Sequence, residues 1–309
     1  MKICFSAINI KTLDYTWSWT SDNPAPDRLT SELLEWAKKA GFDGFELEDH
    51  WVDFYSFNPQ ELKNYKQLLK KSTLPVPCLK VIGKNLYSPS IREEGKKKLL
   101  QSLDIADALD IRIISVNFAA DPSKIFGIPK TDSLGKPKSF LSSRDASEDD
   151  FKMTAESMQI AAQKAKKLGI EIDIEIHQNS IADSAKSTIK ILDMIGEDNV
   201  RVNPDLGNII WVYDEPEEDW QDSINMLTTY SGQWWHCKNI TRLHVPEVKR
   251  SIFVKGTLDR GEIDYRYALS VMKKSNWDGY ILIEGGASPD VLDGAKLNLA
   301  YLNRILPEI

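Results

Sequence analysis

Ile170-Glu171-Ile172-Asp173-Ile174-Glu175-Ile176-His177 alternates apolar and polar residues without a break. Side chains along a strand point to opposite faces in turn. Period two therefore sends the four isoleucines to one face and Glu171, Asp173, Glu175 and His177 to the other. In an α/β barrel the isoleucines pack outward against helices and the acids line the lumen, with Glu175 and His177 nearest the open end. The competing reading is a half-buried antiparallel strand with one wet face. Carboxylates rarely enter a core without a partner, so a barrel context turns this strand into a functional one.

The rest of the chain supplies that context. Short β-rich apolar runs alternate with long 3.6-period segments from end to end, and strands are expected to begin near Lys2, Asp43, Pro75, Ile111, Ile170, Val200, Gln233 and Gly279. Eight strands, each followed by room for a helix, predict a single-domain (β/α)8 TIM barrel over residues 1–309. A doubly wound sheet is the alternative, but it more often stops at five to seven strands. Ser147 and Asp150 form a capping-box start for a helix whose apolar face carries Ala155, Met158, Ala162, Ala165 and Leu168 before Gly169 ends it. A last helix opens after Pro289 and Asp290. Two segments are long, 119–147 and 241–262, and read as insertions after strands four and seven, on the face where barrel enzymes build their sites.

Composition excludes several classes. The 309 residues hold 39 Lys plus Arg against 46 Asp plus Glu, a formal net charge of −7, which argues against nucleic-acid binding through a basic face. Cys4, Cys78 and Cys237 are odd in number and far apart, with no CxxC pair, so neither a disulfide framework nor a thiolate zinc site is signalled. No run approaches 18 apolar residues, and the N-terminus reads as a first buried strand instead of a leader, so a cytoplasmic protein without membrane contact is expected. Asn239-Ile240-Thr241 matches a glycosylation sequon and is discounted on the same ground.

Three later strands also end in groups a metal can use. Strand six runs into Asn203-Pro204-Asp205-Leu206-Gly207-Asn208, strand seven is Trp234-Trp235-His236-Cys237-Lys238-Asn239, and strand eight ends at Glu284. Adjacent strands lie about 4.8 Å apart, so Glu175, Asp205, His236 and Glu284 can converge on one ion. Singly, each has an ordinary alternative: Asp205 as a helix cap, Glu284 as a wet residue, His236 as a core histidine.

Together these pieces resemble the xylose-isomerase-like barrel superfamily of sugar isomerases and epimerases, which also contains inosose dehydratase. The matching stretches are Gly41-Phe42-Asp43-Gly44-Phe45-Glu46-Leu47, Glu175-Ile176-His177, Pro204-Asp205-Leu206-Gly207-Asn208, His236-Cys237-Lys238-Asn239, Gly261-Glu262-Ile263-Asp264-Tyr265 and Gly279-Tyr280-Ile281-Leu282-Ile283-Glu284. The resemblance implies that Glu175, Asp205, His236 and Glu284 are metal ligands and that Glu175 and Glu284 double as catalytic acid and base. It departs from the 3-epimerases at Asn208, where they carry a substrate-binding His, and at Asn239, where an Asp is expected. Arg242 matches their substrate-binding Arg.

Three carboxylates and one imidazole suit Mn²⁺, with Mg²⁺ or Co²⁺ as substitutes. The expected chemistry is proton abstraction next to a carbonyl of a non-phosphorylated sugar or keto-sugar through a metal-stabilised enediolate, giving isomerisation or epimerisation. The alternative is a lyase or hydratase acting on inosose or a 3-keto-glycoside with the same site, in which case a second subunit is implied; otherwise a homo-oligomer is expected. His177, Asn208, Lys238, Arg242, Trp19, Trp51 and His50 are the expected substrate contacts, the tryptophans as walls for apolar sugar faces or, equally, as packing. An abasic-site endonuclease of related fold needs more histidines than His50, His177, His236 and His244.

Overall fold

The computed structural model describes residues 1–6, 27–49, 51–118, 142–212, 215–248, 250–284 and 290–309. Eight parallel strands form a nearly closed barrel: β1 (Lys2–Ser6), β2 (Gly44–Glu48), β3 (Cys78–Lys84), β4 (Ile113–Phe118), β5 (Glu171–Glu175), β6 (Val200–Asn203), β7 (Trp234–Cys237) and β10 (Tyr280–Ile283). Their order is β6-β5-β4-β3-β2-β1-β10-β7. The helices between them are α1 (Asp27–Ala40), α2 (Pro59–Ser72), α3 (Arg92–Ala108), α4 (Glu148–Leu168), α5 (Ala185–Ile195), the short α6 (Leu206–Ile210), α7 (Trp220–Leu227), α8 (Tyr265–Lys274) and α9 (Val291–Ile305). Each expected strand is present. None of the helices is long and apolar enough to cross a membrane among the described residues.

Local chemistry sets the helix ends. Ser147 accepts from the Asp150 N–H and Asp150 answers on the Ser147 N–H, while Gly169 closes α4 at a φ of 66° that a side chain would resist. Asp290 caps α9 by accepting from the Asp293 N–H. The insertion expected at 241–262 is a β-hairpin that starts two residues earlier. Its strands β8 (Asn239–Val245) and β9 (Arg250–Gly256) pair antiparallel from Asn239↔Gly256 to Val245↔Arg250. Asn239 roots it, donating from Nδ2 to the carbonyls of Leu258 and Ile263 and accepting from the N–H groups of Ile240 and Ile263. Of the other insertion, residues 119–141 lie outside the described residues; Ser143–Asp145 form a single helical turn before α4.

The outer core packs helices on strands, with Phe45, Leu47, Ile172, Ile174 and Trp235 among its fully buried members. A second, smaller cluster of Cys4, Cys78, Ile113, Trp234 and Leu282 plugs the lumen. One seam needs side chains to close. Between β6 and β7 the main chain makes only the Val202–Ser231 bridge, with the Val202 N–H on Tyr230 O and the Gly232 N–H on Val202 O. N–H groups of Gln233 and β7 are taken instead by carboxylates and an amide. Gln233 donates to Glu171 Oε1 (2.7 Å), Trp234 to Asp173 Oδ2 (2.8 Å) and His236 to Asn203 Oδ1 (2.8 Å). Asp173 is thus committed to barrel closure, because a buried N–H left unpaired costs as much as a lost hydrogen bond, and Glu171 holds the exposed Gln233 N–H at the same seam.

Asp183 ties the loop after β5 to the turn before α4 through the Ser143 N–H at 3.2 Å. Burial pushes its carboxyl up to about 6, against the lowering effect of the Ser143 contacts. The folded state therefore binds this proton more tightly than the unfolded chain does. The resulting stability is fully present below about pH 4 and is lost as pH rises to about 6. Asp183→Asn keeps an acceptor for Ser143 and removes the charge. It is expected to exceed wild type at pH 7 by up to about 3 kcal/mol, with the gain gone at pH 4. Urea denaturation across pH checks this, and equal stability at pH 7 would refute it.

Candidate metal centre

Glu175 ends β5, Asp205 follows β6, His236 lies on β7 and Glu284 follows β10, so each group projects from the C-terminal end of its strand toward the lumen. One ligand atom from each lies within 4.8 Å of all the others. That spacing fits atoms arranged around a divalent cation with bonds of about 2.1 Å. Glu175, Asp205 and His236 are buried, and the Glu284 side chain keeps 15% of its exposure at the rim. The donor set is hard and oxygen-rich, so these residues can hold a divalent ion.

His236 is gripped on both sides. Its Nδ1 lies 2.8 Å from Glu175 Oε1 and 3.1 Å from Glu284 Oε2, and its Nε2 lies 2.8 Å from Glu46 Oε1. Burial alone disfavours a charged ring, yet the facing Glu46 and Glu175 hold its pKa well above the ordinary histidine value. Glu175 moves the other way. Against burial, Lys80 and His236 keep it well below the carboxylate range. Lys80 reaches from β3 to Glu175 Oε2, so both oxygens of Glu175 are taken. Asp205 caps α6 with Oδ1 on the Asn208 N–H, while Oδ2 meets Lys238 Nζ at 2.8 Å. Burial leads in pushing its carboxyl up to about 7, with Glu284 and Glu175 adding to the rise and Lys238 opposing it. Lys238 also reaches Glu284 Oε1 at 3.2 Å. A Cβ at Gly207 would meet the Lys238 stem at 2.5 Å, so the glycine makes room for this lysine.

The other expected site residues divide. His177 stands at the end of β5, its Nδ1 2.9 Å from Gln178 O; a carbonyl only accepts, so Nδ1 carries the proton and Nε2 is left as an acceptor. Asn208 is fully buried and donates from Nδ2 to Ile176 O and Asp205 Oδ2, leaving Oδ1 with no hydrogen-bond partner. Arg242 lies on the hairpin opposite Phe253, bonded to Val212 O (3.3 Å) and Glu215 (3.4 Å). Of the two readings open for Trp51, wall or packing, its burial fits packing. The residue is 1% exposed within the outer core. Trp19 and His50 lie outside the described residues.

Glu46 and Lys80 carried no assignment from sequence. The signal for Glu46 was legible: Gly44-Phe45-Glu46-Leu47-Glu48 alternates as β5 does, with Phe45 and Leu47 outward. Lys80 shares a mostly apolar strand with Lys84, where such charges resemble edge residues.

Residues 34–305 match the model of the xylose isomerase-like TIM barrel family. The chain belongs to that family. Inosose dehydratase of Clostridium perfringens is 22% identical over 289 residues, 89% of each chain. A xylose isomerase-like TIM barrel protein from Mycobacterium smegmatis, solved in complex with magnesium, superposes with a TM-score of 0.79 at 17% identity, covering 99% of this chain and 97% of that one. D-allulose 3-epimerase from a Methylomonas species, in complex with D-allulose, superposes at 0.69 and 17% identity, covering 99% and 97%. The structural likenesses at these identities establish the fold.

Proposed function

We propose that this family member is a metal-dependent lyase that removes a β-oxygen substituent from a non-phosphorylated, polyhydroxylated ketone. The observation that carries this is the inequality of the two glutamates. Epimerisation or isomerisation by paired carboxylates asks both to exchange protons with the substrate. Glu175 has one oxygen on Lys80, the other on His236, and is buried. Glu284 alone keeps exposure at the rim. The similarity to a dehydratase across 89% of the chain supports the same choice.

Glu175, Asp205, His236 and Glu284 would hold a divalent ion, which would supply Lewis acidity toward the substrate carbonyl. Glu284 takes the proton next to the carbonyl. The electrons of that C–H bond form the new double bond as the β-carbon–oxygen bond breaks. Lys238, 3.2 Å from Glu284, gives a proton to the departing oxygen and regains one from Glu284, so the proton count closes. His177 Nε2 accepts from a substrate hydroxyl, and Asn208 holds the Asp205 carboxylate through Nδ2.

Incubation of the metal-loaded protein in D₂O with ketoses, inososes and 3-keto-glycosides tests the reading. Deuterium uptake next to the carbonyl together with an unsaturated product supports it; exchange with an epimer or isomer as product overturns the lyase in favour of the isomerase reading.

Arg242 ties the hairpin to Val212 and Glu215 and is no member of the ligand set. Arg242→Ala is therefore expected to keep full metal binding and to lower kcat/KM by about tenfold through KM. Loss of metal in this variant would contradict its placement.

A further inference from the structure

We propose that Glu46 is a positioning residue for His236, gripping the imidazole from across the lumen so that Nδ1 is the nitrogen presented to the metal. This rests on the reading of Glu175, Asp205, His236 and Glu284 as a cation site. Glu46 stands on β2, three strands from β7 around the barrel, and is 1% exposed. Its Oε1 lies 2.8 Å from His236 Nε2 and 2.7 Å from Trp234 Nε1, and its Oε2 lies 3.3 Å from Ser6 Oγ.

The direction of these bonds follows from the groups. An indole N–H can only donate, so Glu46 Oε1 is the acceptor for Trp234, and the same accepting oxygen calls for a proton on His236 Nε2. That leaves the Nδ1 lone pair for a cation, on the side where Glu175 and Glu284 already converge. A ring flip would leave Glu46 Oε1 with Trp234 alone and put carbon against it in a buried site. Trp234 precedes His236 by two residues on the same strand face, so one carboxylate pins both rings. Metal-bound histidines are generally oriented by such an outer acceptor, and its loss typically weakens metal binding.

The experiment compares wild type with Glu46→Gln and Glu46→Ala by three measurements: Mn²⁺ affinity by chelator competition, thermal stability, and the His236 Hε2 resonance in the metal-free protein. In wild type that proton should be hydrogen-bonded and protected from exchange with solvent. Glu46→Ala should lose the protected resonance and bind Mn²⁺ about 10–100-fold more weakly. Glu46→Gln retains an acceptor oxygen, so it should keep the resonance and recover most of the affinity. A structural role alone would lower thermal stability in both variants without separating their affinities. Wild-type Mn²⁺ affinity in Glu46→Ala, or no protected Hε2 proton in wild type, overturns the proposal. If Glu46→Ala does not fold, Glu46→Gln decides, since loss of its resonance also overturns it. Mn²⁺ binding untouched by His236→Ala as well would instead sink the underlying cation site, while the resonance still reports the Glu46 bond.

Discussion

Glu284→Gln is expected to lower turnover by about 10²–10⁴-fold while the protein remains folded and keeps its metal. The amide oxygen can still face the ion, but the basic electron pair is gone. His236→Ala offers the contrast. It removes a nitrogen with no assigned proton role, so metal affinity should fall first and activity should partly return with added Mn²⁺. Turnover at saturating metal separates the two variants. If excess Mn²⁺ rescues Glu284→Gln as it does His236→Ala, Glu284 is only a ligand, and proton abstraction passes to Glu175, His177 or Lys238.

The second large effect is on stability and sits at the β6–β7 seam. A Cβ at residue 232 would lie 1.8 Å from Asp173 Oδ1 and 2.4 Å from its Cγ. That carboxylate cannot retreat without releasing the Trp234 N–H, so Gly232→Ala should destabilise by about 1–3 kcal/mol or more. Asp173→Ala leaves the same N–H buried and unpaired, at about 1–3 kcal/mol. The two losses share one cause. In the double variant the methyl occupies the space the carboxylate left, so its destabilisation should fall short of the sum by about 1 kcal/mol or more. Chemical denaturation of the four proteins measures this coupling. Simple additivity would mean that the seam does not depend on Asp173.

Glu171 and Asp173 also show where a reading of strand faces stops. Alternation along Ile170–His177 placed both on the inward face, where the structure has them, yet their task is to stand in for missing ladder bonds on β7 and not to meet substrate. Only Glu175 of the three acids reaches the ligand set. Position along the strand separates these roles: the lower residues meet the seam and the lumen plug, and the upper one meets the open end.

Much of this protein was determined by the sequence alone. Period two set which side chains enter the lumen, the spacing of apolar runs set eight strands, and capping residues such as Ser147, Asp150 and Gly169 set helix ends, because these are local properties of neighbouring residues. The order Glu175, Asp205, His236, Glu284 at strand ends was legible for the same reason. Only the tertiary structure decided which groups face one another across the barrel. Glu46 on His236, Lys80 on Glu175 and Lys238 between Asp205 and Glu284 join residues up to 190 positions apart. It likewise decided that Trp51 is core and that the segment after β7 folds as a hairpin. Strand alternation gives a direction without a distance, and only closure of the ring brings opposite walls within reach of a hydrogen bond.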